Sequence, residues 1–169
     1  MTTFVAKPFS NFLLIMKKLF LFLILFSATV SCLKDDSGRV EQYIALLKSG
    51  NFNLHREMPI FEISDIPKLL KHVRNETHIS IVVTPPYSSV MLEKLVTTIG
   101  MMALWTIEDT RLDADLPSAS PVVKNSSGQN VAQKEVAGLY EKWWEKNKGK
   151  SVARLKEISP FERTDYSWH

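Results

Sequence analysis

The sequence predicts an all-α domain in which about five helices pack around one central apolar helix. Apolar residues recur at helical spacing in most segments after residue 37, and residues 89–112 are apolar almost all round. Only residues 78–84 have strand-like, β-branched composition, and Val122-Val123 is the single weak partner for them. Because a lone strand would leave its backbone groups unpaired, we expect a buried extended connection there instead of a sheet.

Two helices are predicted before that connection. The first covers residues 37–50, with Ser37 as N-cap and Gly50 as a left-handed C-terminal residue. Its buried face has the spacing i, i+3, i+4 and i+7: Val40, Tyr43, Ile44 and Leu47. The second extends from about residue 64 to Arg74, with Pro67 in its first turn, where a missing amide proton costs nothing.

The central helix is predicted over residues 89–112. Only 13 uncharged residues separate Lys94 from Glu108, fewer than the roughly 20 that a membrane-spanning helix requires. We therefore expect a core helix. Residues 113–129 are rich in Pro, Ser, Asn and Gly, and we expect a long, mobile surface loop.

Two further helices and a packed tail complete the predicted domain. Asn130 is expected to cap a fourth helix that continues to about Lys146, and a fifth covers residues 151–158. The extended C-terminal tail is too apolar to remain free and is expected to fold back along the helices: Phe161, Tyr166 and Trp168. Helix pairs of this size can also stack in a HEAT-like manner.

The N-terminal 31 residues have the pattern of a signal peptide. Lys17 and Lys18 precede an apolar run of 12 residues, 19–30, which is too short to span a bilayer. The sequence Thr-Val-Ser-Cys at 29–32 resembles a bacterial lipobox, which implies cleavage between Ser31 and Cys32 and lipidation of Cys32. Thr29 replaces the usual leucine, and ordinary signal peptidase could cut the same bond. A compact bacterial signal would start at Met16, which we expect to be the true start.

The residues after Cys32 carry a second targeting signal. Lys34, Asp35 and Asp36 resemble the export signal of Bacteroides-type surface lipoproteins; the alternative is a solvated acidic tether. These features predict a lipidated tether over residues 32–38 and a single helical domain over 39–169. They imply a lipid-anchored protein of the bacterial envelope, in the outer membrane, where it faces the cell surface if the export signal operates and the periplasm otherwise.

The charge distribution argues against nucleic acid as a partner. Three lysines and no acidic residues precede Cys32, so this segment accounts for the whole net charge of +3 and the rest of the chain is neutral. A neutral domain with interspersed charges lacks the basic surface that nucleic acid requires.

Several motifs resemble a family of small Bacteroides proteins known only as a domain of unknown function. They are RVEQYIALLKSG at 39–50, ALWTIEDTR at 103–111, YEKWWEKN at 140–147 and TDYSWH at 164–169. The resemblance implies an exported helical protein and brings no activity with it.

Two groups of residues are candidates for a functional site. The acidic patch of Glu108, Asp109, Asp113 and Asp115 could serve a hydrolase or a cation, although Glu108 and Arg111 have the spacing of a helical ion pair. Tyr140 and Trp144 could stack on a glycan. Since Trp143 and Trp144 are adjacent, we expect only one of them to face inward, with Trp144 at the edge of the buried face.

The sequence contains no motif for a metal or a cofactor. The four histidines include no pair at i, i+4, and no glycine-rich phosphate loop or serine elbow is present. We therefore expect a non-catalytic binding or structural domain that needs no cofactor and has an unidentified protein or glycan partner. A glycan-binding accessory protein and a hydrolase are the alternatives.

Overall fold

The computed structural model describes residues 37–50, 52–53, 58–83, 93–114 and 117–169. Within this part of the chain the fold is mostly helical, as predicted, but two small antiparallel sheets show that it is not all-α. Residues Asp36–His169 form one compact unit. No described helix is long and apolar enough to cross a membrane.

The helices lie close to the predicted positions, with two exceptions: the central helix starts later than predicted, and the second ends at Leu69 and not at Arg74, with turns over residues 70–74. The α-helices in the described ranges are α1 (Ser37–Lys48), α2 (Ile66–Leu69), α3 (Ile99–Leu112), α4 (Gln133–Asn147) and α5 (Val152–Glu157). A 3₁₀ turn, Ile63–Asp65, precedes α2. Gly50 follows α1 with φ of 74°, which confirms its left-handed conformation.

The expectation that residues 78–84 form an unpaired connection is wrong. Strand β1 (His78–Val83) pairs with β2 (Glu93–Thr98) in an antiparallel hairpin that places His78 opposite Thr98. A second, shorter pair joins β3 (Val123–Lys124) to β4 (Ser167–Trp168).

The predicted start of the central helix at residue 89 is therefore too early. Residues 84–92 lie outside the described ranges, and the first described residues after them, 93–98, form β2. The helix begins only at Ile99, where the Thr98 hydroxyl accepts a hydrogen bond from the Met101 N–H at 3.1 Å. Thr98 is both the last residue of β2 and the N-cap of α3. Its backbone stays extended, as in a strand, while its side chain satisfies a helical N–H that has no other partner.

Helix α3 forms the centre of the core, as its all-round apolar sequence predicts. Met102, Leu104, Trp105 and Ile107 are all fully buried although they point in different directions around the helix. Helix α1 contributes Tyr43, whose hydroxyl lies 2.9 Å from the Thr106 Oγ1 atom. The Thr106 hydroxyl donates to the Met102 carbonyl oxygen at 2.8 Å, so the buried tyrosine hydroxyl donates to Thr106.

The C-terminal half differs from the prediction in two details. Asn130 does not cap α4: it forms an isolated bridge with Lys124, and Ala132 occupies the N-cap position. The predicted loop 113–129 contains β3, which pairs with the tail through β4. Folding back of the tail is confirmed, because Phe161 is buried and Trp168 packs against the core.

Three elements meet closely around Gly100, the second residue of α3. The Gly100 N–H donates to the Asn75 carbonyl oxygen at 2.9 Å. The Gln133 side-chain amide donates to the Val73 and Asn75 carbonyl oxygens at 3.0 and 3.2 Å. A Cβ atom on residue 100 would lie 2.1 Å from Gln133 Nε2 and 2.5 Å from the Val73 carbonyl oxygen. The close contact between the segment after α2, the start of α3 and the start of α4 therefore requires glycine.

Replacing Gly100 with alanine should destabilise the fold by about 1–3 kcal/mol, because backbone atoms must move to admit the methyl group. Gly138→Ala on α4 is the matched control, since no atom lies within 4 Å of the position that its new methyl group would take. Because alanine has a higher helix propensity than glycine, the Gly138→Ala variant should be more stable than wild type by about 0.5–1 kcal/mol. Urea unfolding followed by circular dichroism measures both; a Gly100→Ala protein as stable as wild type would contradict the close packing.

Candidate functional site

The fold separates the carboxylates of the predicted acidic patch. Glu108 is buried on α3, with 5% of its surface exposed, whereas the Asp113 side chain is 82% exposed just beyond the helix end. Asp113 adopts the left-handed conformation at the C-cap, and its Oδ2 atom lies 3.0 Å from Lys156 Nζ. Asp115 lies outside the described residues. The structure does not bring Glu108 and Asp113 into one solvent-accessible site.

Both carboxylate oxygens of Glu108 are hydrogen-bonded. Arg111 donates from Nε to Oε2 at 2.9 Å and from an Nη atom to Oε1 at 2.6 Å, which confirms the predicted helical ion pair. The Tyr140 hydroxyl on α4 also donates to Oε2, at 2.7 Å. A buried carboxylate is stable only with such partners, and here three donors replace the water that it has lost.

The same groups extend the network to α5 and to the tail. The second Nη atom of Arg111 donates to the carbonyl oxygens of Leu155 and Lys156, at 3.2 and 2.7 Å, in the last turn of α5. The Trp168 indole N–H on β4 donates to the Tyr140 hydroxyl oxygen at 2.9 Å. We call these four side chains the Glu108 cluster: Glu108, Arg111, Tyr140 and Trp168. The cluster joins three helices and the tail.

The electrostatics of the Glu108 cluster favour a structural role. Burial raises the pKa of Tyr140 well above its ordinary value, and the adjacent Glu108 carboxylate raises it further. Tyr140 therefore remains a neutral hydrogen-bond donor at physiological pH. General acid–base catalysis requires a pKa near the working pH and contact with a substrate, and this phenol has neither property in the structure.

The predicted stacking platform is not exposed. Tyr140 is completely buried and Trp144 is only 9% exposed, so neither offers an open ring face to a sugar. The expectation that adjacent tryptophans cannot both face inward is wrong, because Trp143 is also buried, at 5% exposure. Helix α4 packs against α3, while its Trp143 indole N–H donates to the Ile158 carbonyl oxygen at 2.8 Å on another side. Because both α3 and the segment around Ile158 contact α4, more of the helix circumference is buried than one packing face would bury.

Two of the surface clefts that the described residues form are lined without any member of the Glu108 cluster. One, about 280 Å³, lies between β2 and residues 121–131 and contains the exposed Val96. The other, about 240 Å³, lies between the C-terminal half of α4 and residues 158–164. We call the second the α4 cleft; Lys142, Lys146, Asn147 and Arg163 are among its lining residues.

The sequence interpretation did not single out these four polar residues. Lys142 and Lys146 repeat at i, i+4 on one helix face, which is a local signal for a basic surface. No local signal places Arg163 beside them, because that contact depends on the way the tail folds back. In the described part of the chain, no group of three His, Cys, Asp or Glu side chains could hold a metal ion.

The residues of the predicted anchor lie outside the described ranges. They are Ser31 and Cys32 at the predicted cleavage site and Lys34, Asp35 and Asp36 in the predicted tether. Cleavage, lipidation and export therefore stay predictions.

The comparisons with known proteins identify a family without an assigned activity. A family model described as a domain of unknown function (DUF4943) matches residues 34–169, so the chain belongs to this family. This confirms the resemblance that the helical motifs suggest. No match was found among curated proteins or among solved structures.

Removing the Tyr140 hydroxyl should destabilise the protein by about 1–3 kcal/mol, because the partly buried Trp168 N–H loses its acceptor and the buried Glu108 loses a donor. Tyr166→Phe is the matched control, since the Tyr166 hydroxyl donates to Glu135 at the surface, at 2.6 Å. That change should stay within about 0.5 kcal/mol. Equal losses in urea unfolding of Tyr140→Phe and Tyr166→Phe would contradict the role of the Glu108 cluster.

Stability should also fall in alkaline solution. Burial raises the pKa of Tyr43 and of Tyr140 in the folded protein, so the stabilisation is complete below the unfolded pKa of about 10 and is lost as the pH rises further. Each phenol that stays protonated only in the folded state should lower the unfolding free energy by about 1.4 kcal/mol per pH unit above that value.

Urea unfolding at a series of alkaline pH values measures this slope. In the Tyr43→Phe variant one of the two phenols is absent, and we expect a correspondingly shallower slope. An unchanged slope, or ionisation of all tyrosines before unfolding in ultraviolet absorbance, would contradict the raised pKa values.

Proposed function

We propose that this member of the DUF4943 family is a lipid-anchored protein of the bacterial envelope whose domain binds a partner without catalysis. Cys32 carries the anchor, and residues 1–31 are removed as a signal peptide. The domain then acts at the outer membrane, at the cell surface if Lys34, Asp35 and Asp36 serve as an export signal.

The observation that carries the proposal is the order of features in residues 16–36. Lysines, a short apolar run, small residues and the chain's single cysteine follow each other as in a lipoprotein signal. One cysteine cannot form an internal disulfide, and acylation would remove the reactive thiol. The family match starts at residue 34, which fits a domain that begins directly after the anchor.

A binding role is supported by the state of the acidic side chains. Both carboxylate oxygens of Glu108 accept hydrogen bonds, from Arg111 and Tyr140, and Asp113 pairs with Lys156 at the surface. Hydrolysis by paired carboxylates requires two acids that face one substrate, and these two do not. The buried rings of Tyr140 and Trp144 likewise give no support to glycan stacking at that position.

Metabolic labelling with palmitate tests the anchor. Wild-type protein in a bacterial host should incorporate the label, and Cys32→Ala should lose it completely, because the thiol is the acceptor of the lipid. Ser31→Ala is the control: it keeps the cysteine and a small residue before it, so its labelling should persist. Equal labelling of wild type and Cys32→Ala would end the lipoprotein proposal.

A further inference from the structure

The α4 cleft combines basic, amide and apolar side chains in one small surface depression. Helix α4 forms one wall with Lys142 and Lys146, and the returning chain forms the other with Pro160 and Arg163. Its volume of about 240 Å³ is below the 300–1,000 Å³ typical of sites for drug-sized ligands. A ligand that fits is therefore about as large as one sugar residue.

The three cations of the cleft have no carboxylate partner in the described part of the chain. Lys142, Lys146 and Arg163 form no ion pair there. Of the four cations between Asn147 and Ile158, three are paired: Lys148 with Glu145, Arg154 with Glu157 and Lys156 with Asp113. Glu145 lies three residues after Lys142 but bonds to Lys148 instead. The three cations outnumber the one acidic residue of the lining, and the net positive charge favours an anionic ligand.

Asn147 adds a buried acceptor to the lining. The side chain is 2% exposed, and its Nδ2 atom donates to the Trp143 carbonyl oxygen at 2.7 Å. This bond fixes the amide orientation, because the reverse would set one carbonyl oxygen against another. The buried Oδ1 atom receives no hydrogen bond from the described residues. A buried acceptor without a donor is costly, and a ligand hydroxyl would satisfy it.

The remaining lining is apolar. Trp143, Ile158 and Pro160 present carbon surface beside the charged groups, and Glu162 is the single acid among the lining residues. Inorganic phosphate would leave this apolar surface unused, and a fatty acid would supply no donor for Asn147 or Glu162. A sugar acid has the anion, the hydroxyl donors and the C–H faces in one small molecule.

We propose that the α4 cleft binds a hexuronate, either as a free sugar acid or as one residue of an acidic polysaccharide. The carboxylate pairs with Lys142, Lys146 and Arg163, and a hydroxyl donates to Asn147 Oδ1. This assignment rests on the proposal that the domain binds instead of catalysing, and it names the class of partner. It is independent of Cys32, because the anchor and the cleft use different residues.

Isothermal titration calorimetry of the full chain in detergent tests the ligand class. The probes are D-galacturonate and D-glucuronate, with galactose, glucose, acetate and phosphate for comparison. At least one hexuronate should bind at least tenfold more tightly than its neutral hexose and than either small anion. An oligogalacturonide distinguishes a polysaccharide source, which should bind more tightly than the monomer, from a free sugar acid, which should not.

Charge-neutral variants locate the site. Lys146→Gln and Arg163→Gln should each weaken hexuronate binding at least fivefold, and added salt should weaken wild-type binding. Lys148→Gln makes the same charge change two residues away and outside the cleft, so its affinity should equal that of wild type. An equal loss in all three variants would indicate non-specific attraction and overturn the proposal.

Asn147→Leu tests the buried acceptor. The backbone N–H of residue 147 still reaches the Trp143 carbonyl in a regular helix, so the melting temperature should be unchanged or higher while hexuronate affinity falls at least tenfold. Unchanged affinity in a folded Asn147→Leu protein would overturn the assignment. If that variant does not fold, the exposed Lys146→Gln and Arg163→Gln variants decide the question.

Two outcomes separate this proposal from the lipid anchor. Cys32-dependent palmitate labelling without hexuronate binding would overturn the cleft assignment and leave the anchor proposal intact. Hexuronate binding without Cys32-dependent labelling would overturn the anchor proposal and leave the cleft assignment intact. Sedimentation with phosphatidylglycerol vesicles that is lost in Lys146→Gln, without hexuronate binding, would make the cleft a membrane contact and overturn the sugar-acid assignment.

Discussion

The buried ion pair between Glu108 and Arg111 constrains the whole C-terminal half of the fold. A charge pair removed from water is tolerated only when its remaining hydrogen-bonding groups are satisfied. Arg111 meets this condition by donating to the carbonyl oxygens at the end of α5, and Glu108 by accepting from Tyr140 on α4. Trp168, in the tail, donates its indole N–H to the Tyr140 hydroxyl oxygen. Helices α3, α4 and α5 and the tail must therefore be in place together.

Two polar regions of this domain differ in how far their groups are satisfied. In the Glu108 cluster every donor and acceptor discussed has a partner inside the protein, which fits a structural role. In the α4 cleft the buried Asn147 Oδ1 atom lacks a donor within the described ranges. Protein folds retain such deficits mainly where function requires them. The acidic patch that the sequence emphasises is thus a poorer candidate site than a basic cleft that it does not.

Features that depend on residues close together along the chain are predicted better from the sequence than features that depend on distant residues. Helix α1 follows from its apolar spacing, and α5 lies within the predicted range 151–158, with Ser151 as its N-cap. The prediction of a helix over residues 93–98 is wrong, since Leu95 and Val96 fit a helical stripe as well as a strand. The unpaired groups expected at residues 78–84 were a sign that a partner strand existed, and Thr98 was a readable cap for a helix starting at Ile99.

Spacing along the chain was sufficient for features that involve residues three or four apart. The Glu108–Arg111 pair and the buried face of α1 are of this kind. Only the tertiary structure placed Tyr140 on Glu108, 32 residues away, and Trp168 on Tyr140, 28 residues away. It also buried Trp144 and brought Arg163 to the lysines of α4. These contacts depend on how whole elements pack, and a helical repeat contains no information on which side a distant segment will cover.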